Sequence, residues 1–238
     1  MRHLTLLDRT SRRLTAGLTA TVAVGSVTLA LAGGALTGGG TVALAAGSSS
    51  RMGSPKQLLP VGGRPLLELV VAQACASKLD EVVVVLGAAA DEIRSQVDFG
   101  RARILVNADH ASGMASSLRA GLASLGEGVD RAVVILGDQP GVSAAMLDQL
   151  LELQERSGLP AAALGFGEIL HPPVVLQRPL WGGVMALEGD VGCRAVIRAQ
   201  PELVARLPVS HGHGHPVDVD TPADYERLSG VPIRPAGG

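Results

Sequence analysis

The chain has 238 residues, of which 47% are hydrophobic and 2% aromatic, with a formal net charge of −2 at pH 7. That length suits one α/β domain, or one domain plus an extra segment, and its core must be built from Val, Leu, Ile and Ala. So few rings and no long basic run exclude stacking platforms for single-stranded nucleic acid and argue against nucleic acid as a partner.

Residues 1–40 do not read like the rest. Arg2, Arg9, Arg12 and Arg13 come first, and no charged residue follows from Leu14 to Ala46. Basic residues before an apolar run have the form of a secretory signal or a membrane span. Gly and Thr dilute this run. The best small-residue cleavage site, Ala43-Leu44-Ala45, would remove most of the strand expected next. We therefore expect residues 1–40 to be an atypical, disordered extension or the product of an upstream start codon. An uncleaved anchor and a cleaved signal are the alternatives. The expected location is cytoplasmic, without membrane association.

From Thr41 short β-branched runs alternate with amphipathic stretches. Thr41 to Ala46 is a predicted strand. Pro65 to Ser77 has helical spacing, with Pro65 suited to the first helical position. Strands follow at Glu81 to Leu86 and Ala102 to Val106, with a helix from Ala89 to Val97 between them. Ser112 to Leu125 reads as a helix that Ser112 would cap. Arg131 to Leu136 is a buried strand and Ser143 to Arg156 a helix. Pro160 to Gly165 and Val174 to Gln177 are strands, and 192–199 and 222–229 are helices. The tail 231–238 is expected to be disordered. Continuous apolar strands indicate a sheet covered on both faces, and their alternation with helices indicates βαβ units. The expected architecture is a three-layer α/β/α sandwich with a mostly parallel sheet, and its main domain is residues 41–230.

In such sheets ligands sit beyond the carboxyl ends of the strands. The first such end leads into Leu44, Ala45, Ala46, Gly47, Ser48, Ser49, Ser50, Arg51, Met52 and Gly53. Small residues let backbone N–H groups approach a triphosphate and form an anion nest. Arg51 and Lys56 add two cations where charge builds up during transfer. The spacing is not a Walker A motif, because Gln57-Leu58-Leu59-Pro60 after Lys56 starts no helix. On composition alone, a solvated Gly/Ser loop accounts for the stretch equally well.

LAAGSSSRMGSPKQLLPVGGRPLLE resembles the signature of the MobA-like nucleotidyltransferases, and more narrowly that of the enzymes that add cytidylate to molybdenum cofactor. The resemblance spans about residues 41 to 229. It continues in order through NADHASGMASSLRAGL, VVILGDQP, HPPVVL, GDVGCRAVI and VDVDTPADY. It implies a Rossmann-like nucleotide-diphospho-sugar transferase fold. It also implies Mg²⁺-dependent transfer of CMP from CTP to a molybdopterin phosphate, with release of pyrophosphate. Arg51 and Lys56 would be catalytic. Residues 44–50, Gly53, Gly113 and Ser117 would hold the nucleotide, and His171 and Asp190 the acceptor. Leu170 replaces the family's usual glycine before His171. Ala45-Ala46-Gly47 matches the cytidylyl branch, where guanylyl enzymes read LAGG. The product would pass to a molybdoenzyme partner. Another NTP or acceptor, or a delivery chaperone for the finished dinucleotide, are the competing readings.

Asp138 follows the strand RAVVILG, so it projects from a strand end into the same crevice, where a carboxylate can hold Mg²⁺. Asp218 and Asp220 lie two apart and would share a face on a strand. The resemblance favours Asp220 as the second metal ligand, with Asp218 or a capping role for Asp220 as alternatives. His211, His213 and His215 alternate and invite a metal reading, but a solvated loop is the favoured one. Cys75 and Cys193 form no CxxC pair and are expected to be core thiols, although a low-pKa thiol at a helix start is possible for Cys193.

Overall fold

The structure is a computed structural model that describes residues 21–24, 27–30, 38–47, 55–209 and 218–230. The chain divides into two compact units, Met1–Ala35 and Leu36–Gly238. In the first, strands β1 (Thr21–Val24) and β2 (Val27–Ala30) pair antiparallel. The sequence pattern did not suggest this hairpin.

The second unit begins with β3 (Gly39–Ala45), which starts two residues before the expected Thr41. Strands β4 (Pro60–Val61) and β5 (Arg64–Pro65) form a small hairpin. Its turn residues Gly62 and Gly63 have φ of 59° and 83°, which a two-residue turn of this twist requires and glycine adopts without strain. Helix α1 (Leu66–Ala76) therefore starts one residue after Pro65, which flanks the helix instead of opening it. Then come β6 (Glu81–Leu86), α2 (Ala90–Gln96), β7 (Arg103–Val106), α3 (Met114–Ala123), β8 (Arg131–Leu136) and α4 (Ala144–Ser157). The chain ends with β9 (Ala161–Phe166), β10 (Ile169–Gln177), α5 (Trp181–Met185), α6 (Arg194–Ala199), β11 (Val204–Pro208) and α7 (Pro222–Ser229).

Seven of these strands form one sheet in the order β11-β9-β10-β8-β3-β6-β7. β3 pairs parallel with β6 and β8, β6 with β7, and β11 with β9, while β10 runs antiparallel between β8 and β9. Side chains alternate across the sheet. Ala43, Ala45, Val84 and Ile135 join Leu66, Leu67 and Val70 of α1 and Leu147 and Leu150 of α4 in one core. On the other face α3 packs against β3 and β6. The mostly parallel three-layer architecture expected from the sequence is present.

Local chemistry explains several boundaries. Ser143 caps α4, its Oγ accepting from Met146 N at 3.2 Å. Thr221 caps α7 in a reciprocal box with Asp224, which leaves Asp220 without a capping duty. Ser112 is not the cap of α3. It sits in a 3-10 turn, His110–Ser112, and donates to Asp109 Oδ1. Gly113 precedes the helix with φ of 102°, and a Cβ there would lie 2.3 Å from Gly189 C. Residues 218–220 have no strand conformation, contrary to expectation. Among the described residues no helix is long and apolar enough to cross a membrane.

Gly121 makes the contact of α3 with the sheet testable. A Cβ there would lie 2.3 Å from Val42 Cγ1, on a side chain that is stiff and wholly buried. Ala would gain about 0.8–1 kcal/mol of helix propensity, and overpacking costs about 1–3 kcal/mol. Gly121→Ala is therefore expected to lower the urea midpoint, with a net loss of about 1 kcal/mol or more. An unchanged midpoint would show that α3 can move off β3.

Candidate active site

The chain builds β3, β6 and β7 outward in one direction, then returns to place β8 on the other side of β3. Helices from these two directions diverge, so a crevice opens beyond the carboxyl ends of β3 and β8. Gly137 N donates to Leu44 O at 2.8 Å and closes the floor of this crevice. A cavity of about 480 Å³ lies there. Leu44, Ala45, Ala46, Gly47, Lys56, Gly113, Ser117, Asp138 and Asp190, all anticipated from the sequence, line it.

Lys56 organises the electrostatics. Its Nζ donates to Asp138 Oδ2 and, at 3.0 Å, to Asp220 Oδ1. Asp138 is 15% exposed and Asp220 53%, so the ammonium bridges the inside and the outside of the crevice. Burial pulls the Lys56 pKa down. The charge of Asp138, the hydrogen bonds that Lys56 donates to both carboxylates and the charge of Asp220 outweigh it and hold Lys56 above its ordinary value. Asp138 is pushed up, by burial first and then by Asp218 and Asp220, against the pull of Lys56. Its second oxygen, Oδ1, is buried and has no hydrogen-bond partner among the described residues. An orphaned carboxylate oxygen beside two further carboxylates fits a hard divalent cation, which takes one or two protein carboxylates and completes its shell with phosphate oxygens and water. Asp138 and Asp220 are the residues that would hold it. Among the described residues no group of three or more His, Cys, Asp and Glu could do so.

Asp218 and Asp220 do not share a partner. Gln139 Nε2 donates to Asp218 Oδ1 at 2.6 Å, whereas Asp220 faces Lys56. The two-residue spacing fails as a guide here because the segment is not a strand. Gln57, which the sequence reading passed over, is buried in a 3-10 turn, and its Nε2 donates to Ala45 O at 3.0 Å and Gly47 O at 3.3 Å. It ties the chain after Lys56 to the end of β3. His110 also lines the cavity unforeseen. It stands on a stretch organised by buried Asn107, whose Nδ2 donates to Ser116 Oγ at 2.8 Å and Ser117 Oγ at 3.0 Å. Position alone, just past the end of β7, could have marked both Asn107 and His110.

His171 does not line the cavity. It lies on β10, where Arg194 Nη2 donates to its Nδ1 at 3.0 Å and Phe166 meets it edge-on at 5.3 Å. Ser48, Ser49, Ser50, Arg51, Gly53, His211, His213 and His215 lie outside the described residues, as does the tail 231–238.

Residues 41–204 match the MobA-like NTP transferase domain family. The chain is 36% identical over 194 residues to nicotine blue oxidoreductase from Paenarthrobacter nicotinovorans, an alignment covering 79% of this chain and 94% of that protein. It is 29% identical to Rv0371c from Mycobacterium tuberculosis H37Rv, whose crystal structure in complex with manganese superposes with a TM-score of 0.70 and covers 82% of this chain and 99% of that one. A nucleotidyl transferase from Methanothermobacter shares the fold at 22% identity, with a TM-score of 0.69 over 81% of this chain and 96% of its own.

The two thiols separate cleanly. Cys193 is 3% exposed, and burial pushes its pKa up to about 12, so it is no reactive thiolate. Cys75 is only half-buried, against expectation, and its Sγ donates to Phe99 O at 3.8 Å. Iodoacetamide at pH 8 is expected to alkylate Cys75 in the native chain and Cys193 only after denaturation, as read by peptide mass spectrometry. Native labelling of Cys193 would contradict its burial.

Proposed function

The chain belongs to the MobA-like NTP transferase family and is a nucleotidyltransferase, and from that premise we propose that it transfers CMP from CTP to the phosphate of a molybdenum-bearing pterin. The observation that carries this reading is the bridge from Lys56 to Asp138 and Asp220 at the mouth of the crevice. It gathers a cation and two carboxylates from three distant parts of the chain beside the end of β3.

An acceptor phosphate oxygen attacks the α-phosphorus of CTP in line, the bond from that phosphorus to the bridging oxygen breaks, and pyrophosphate leaves with the electron pair. The chain supplies no nucleophile, since positioning and charge stabilisation accomplish most of such a step. Asp138 and Asp220 would hold a divalent cation, which would supply positive charge at the phosphates. The manganese complex of Rv0371c supports a cation here, and we propose Mg²⁺ as the resident one. Lys56 and Arg51 neutralise charge that spreads from the α-phosphate to the leaving pyrophosphate. The phosphate-binding role of Leu44 to Gly53 rests on their small residues, which would let backbone N–H groups approach the phosphates. Gly113 and Ser117 border the nucleoside, and the methyl of Ala46 narrows the base pocket toward a pyrimidine. Asp190, on the cavity wall, and His171 serve the acceptor side. We assign this chemistry to a nucleotidyltransferase domain of residues 41–230, acting in the cytoplasm and passing its product to a molybdoenzyme.

The 36% identity to nicotine blue oxidoreductase favours a second reading, in which the same crevice holds a reducing dinucleotide. One set of assays separates the two. Incubation with CTP, GTP, molybdenum cofactor and Mg²⁺ is expected to release pyrophosphate with CTP in preference to GTP. Release with GTP alone would overturn the base assignment. Oxidation of NADH by a dye, without any pyrophosphate, would favour the second reading.

Lys56→Ala is expected to lower kcat by about 10²–10³, the usual effect of losing one transition-state contact. A rate within about tenfold of wild type would remove Lys56 from the chemistry. The same variant loses the ammonium that now sits against both carboxylates. In calorimetry without nucleotide it is expected to bind Mn²⁺ at least as tightly as wild type, whereas Asp138→Asn is expected to bind it more weakly.

A further inference from the structure

Gln139 is the residue that the proposed chemistry leaves unexplained. It is 1% exposed, follows Asp138 directly, and carries a buried Oε1 with no hydrogen-bond partner among the described residues. An orphaned amide oxygen costs free energy in a core, so its other end must compensate. That end, Nε2, donates to Asp218 Oδ1 at 2.6 Å. The amide orientation follows from charge, since turning it over would point Oε1 at a carboxylate. The neighbouring backbone repeats the link, with Val219 N donating to Asp138 O at 3.1 Å. Val219 itself is buried. On the far side of the segment Asp224 Oδ2 accepts from Asp220 N at 3.2 Å and Thr221 N at 2.8 Å. Residues 218–220 lack a strand ladder to hold them. They are held by the turn after β8 on one side and by the cap of α7 on the other.

We propose that Gln139 is a positioning residue that sets the cation site by holding Asp218 through an uncharged donor, while Asp220 shares the Lys56 ammonium with Asp138. This rests on the reading of Asp138 and Asp220 as cation ligands. The uncharged character matters. A Lys or Arg at 139 would hold Asp218 equally well, but would place a fixed positive charge next to Asp138 and repel the incoming cation. The amide fixes Asp218 geometrically and leaves its negative charge to add to the field at the site. Gln139 touches neither nucleotide nor reacting atoms, and acts through Asp218 and the backbone of Val219.

The test reads Mn²⁺ affinity by calorimetry on the full chain without nucleotide, beside thermal melting of each variant. Gln139→Met fills the same volume without a donor. It is expected to weaken Mn²⁺ binding about 10-fold to 100-fold, the range for groups that orient metal ligands. A packing role alone would leave the affinity unchanged, and that result overturns the proposal. The exchange Gln139→Glu with Asp218→Asn reverses the hydrogen bond and conserves charge. It is expected to return affinity to within about threefold of wild type, as two substitutions across one contact do when they compensate. An exchange as weak as Gln139→Met overturns the proposal, since Asp218 would then be a ligand itself. If Gln139→Met does not fold, Asp218→Ala breaks the same contact from its exposed side and carries the same expectation. A wild-type chain that binds no Mn²⁺ overturns the positioning role together with the ligand assignment. A chain with the expected Mn²⁺ pattern but no pyrophosphate release overturns only the proposed transfer.

Discussion

The constraint on which the site depends is the place of β3 in the sheet. It is paired on both edges, by β6 and β8, and covered on both faces. A strand so enclosed has no freedom to shift register, because a one-residue slip would turn Ala43 and Ala45 toward α3 and Val42 toward α1. Its carboxyl end is therefore a fixed point. The chain order reverses at that same strand, so the fixed point is also where helices diverge and a ligand can enter. Everything chemical in the molecule is referred to it. Gln57 reaches back to Ala45 and Gly47, Gly137 is tied to Leu44, and Lys56 crosses to Asp138.

Parts of this were legible before any coordinates. Strands β6 and β8 are unbroken apolar runs between charged or glycine boundaries, and such runs admit few interpretations. Asp138 was legible because it follows one of them directly. The antiparallel course of β10 was not, since a two-residue period is the same in either direction. Helix α5 escaped notice because Gly182-Gly183 in its short span lowers helix propensity, and tertiary contacts with α3 hold it instead. β11 is short and at the sheet's edge, and only its first two residues, Val204 and Ala205, are buried, so it shows no two-residue period.

The site shows the same division more sharply. Sequence spacing reports which side chains share a face, and only when the local conformation is known. For Asp218 and Asp220 the assumed strand was wrong, and the two carboxylates meet different partners, Gln139 and Lys56. Lys56 was anticipated as a cation for phosphate, but its partners lie 82 and 164 positions away. No local pattern encodes a pairing over that distance. The resemblance to a family brought these residues onto one page, and the fold brought them to one point.

Their charges then explain why the point is chemical and not merely structural. Asp138 and Asp220 share the ammonium of Lys56, while Asp218 meets only the uncharged amide of Gln139 among the described side chains. A purely structural site would balance such a cluster, because unpaired buried charge is among the costliest features a fold can keep. Here the imbalance is preserved on every side. Gln139 meets Asp218 with an amide, Asp138 Oδ1 meets nothing, and Asp220 stands half in solvent. Burial and neighbouring carboxylates together push Asp138 above the usual carboxylate range. A divalent cation held by Asp138 and Asp220, as proposed, would relieve that excess.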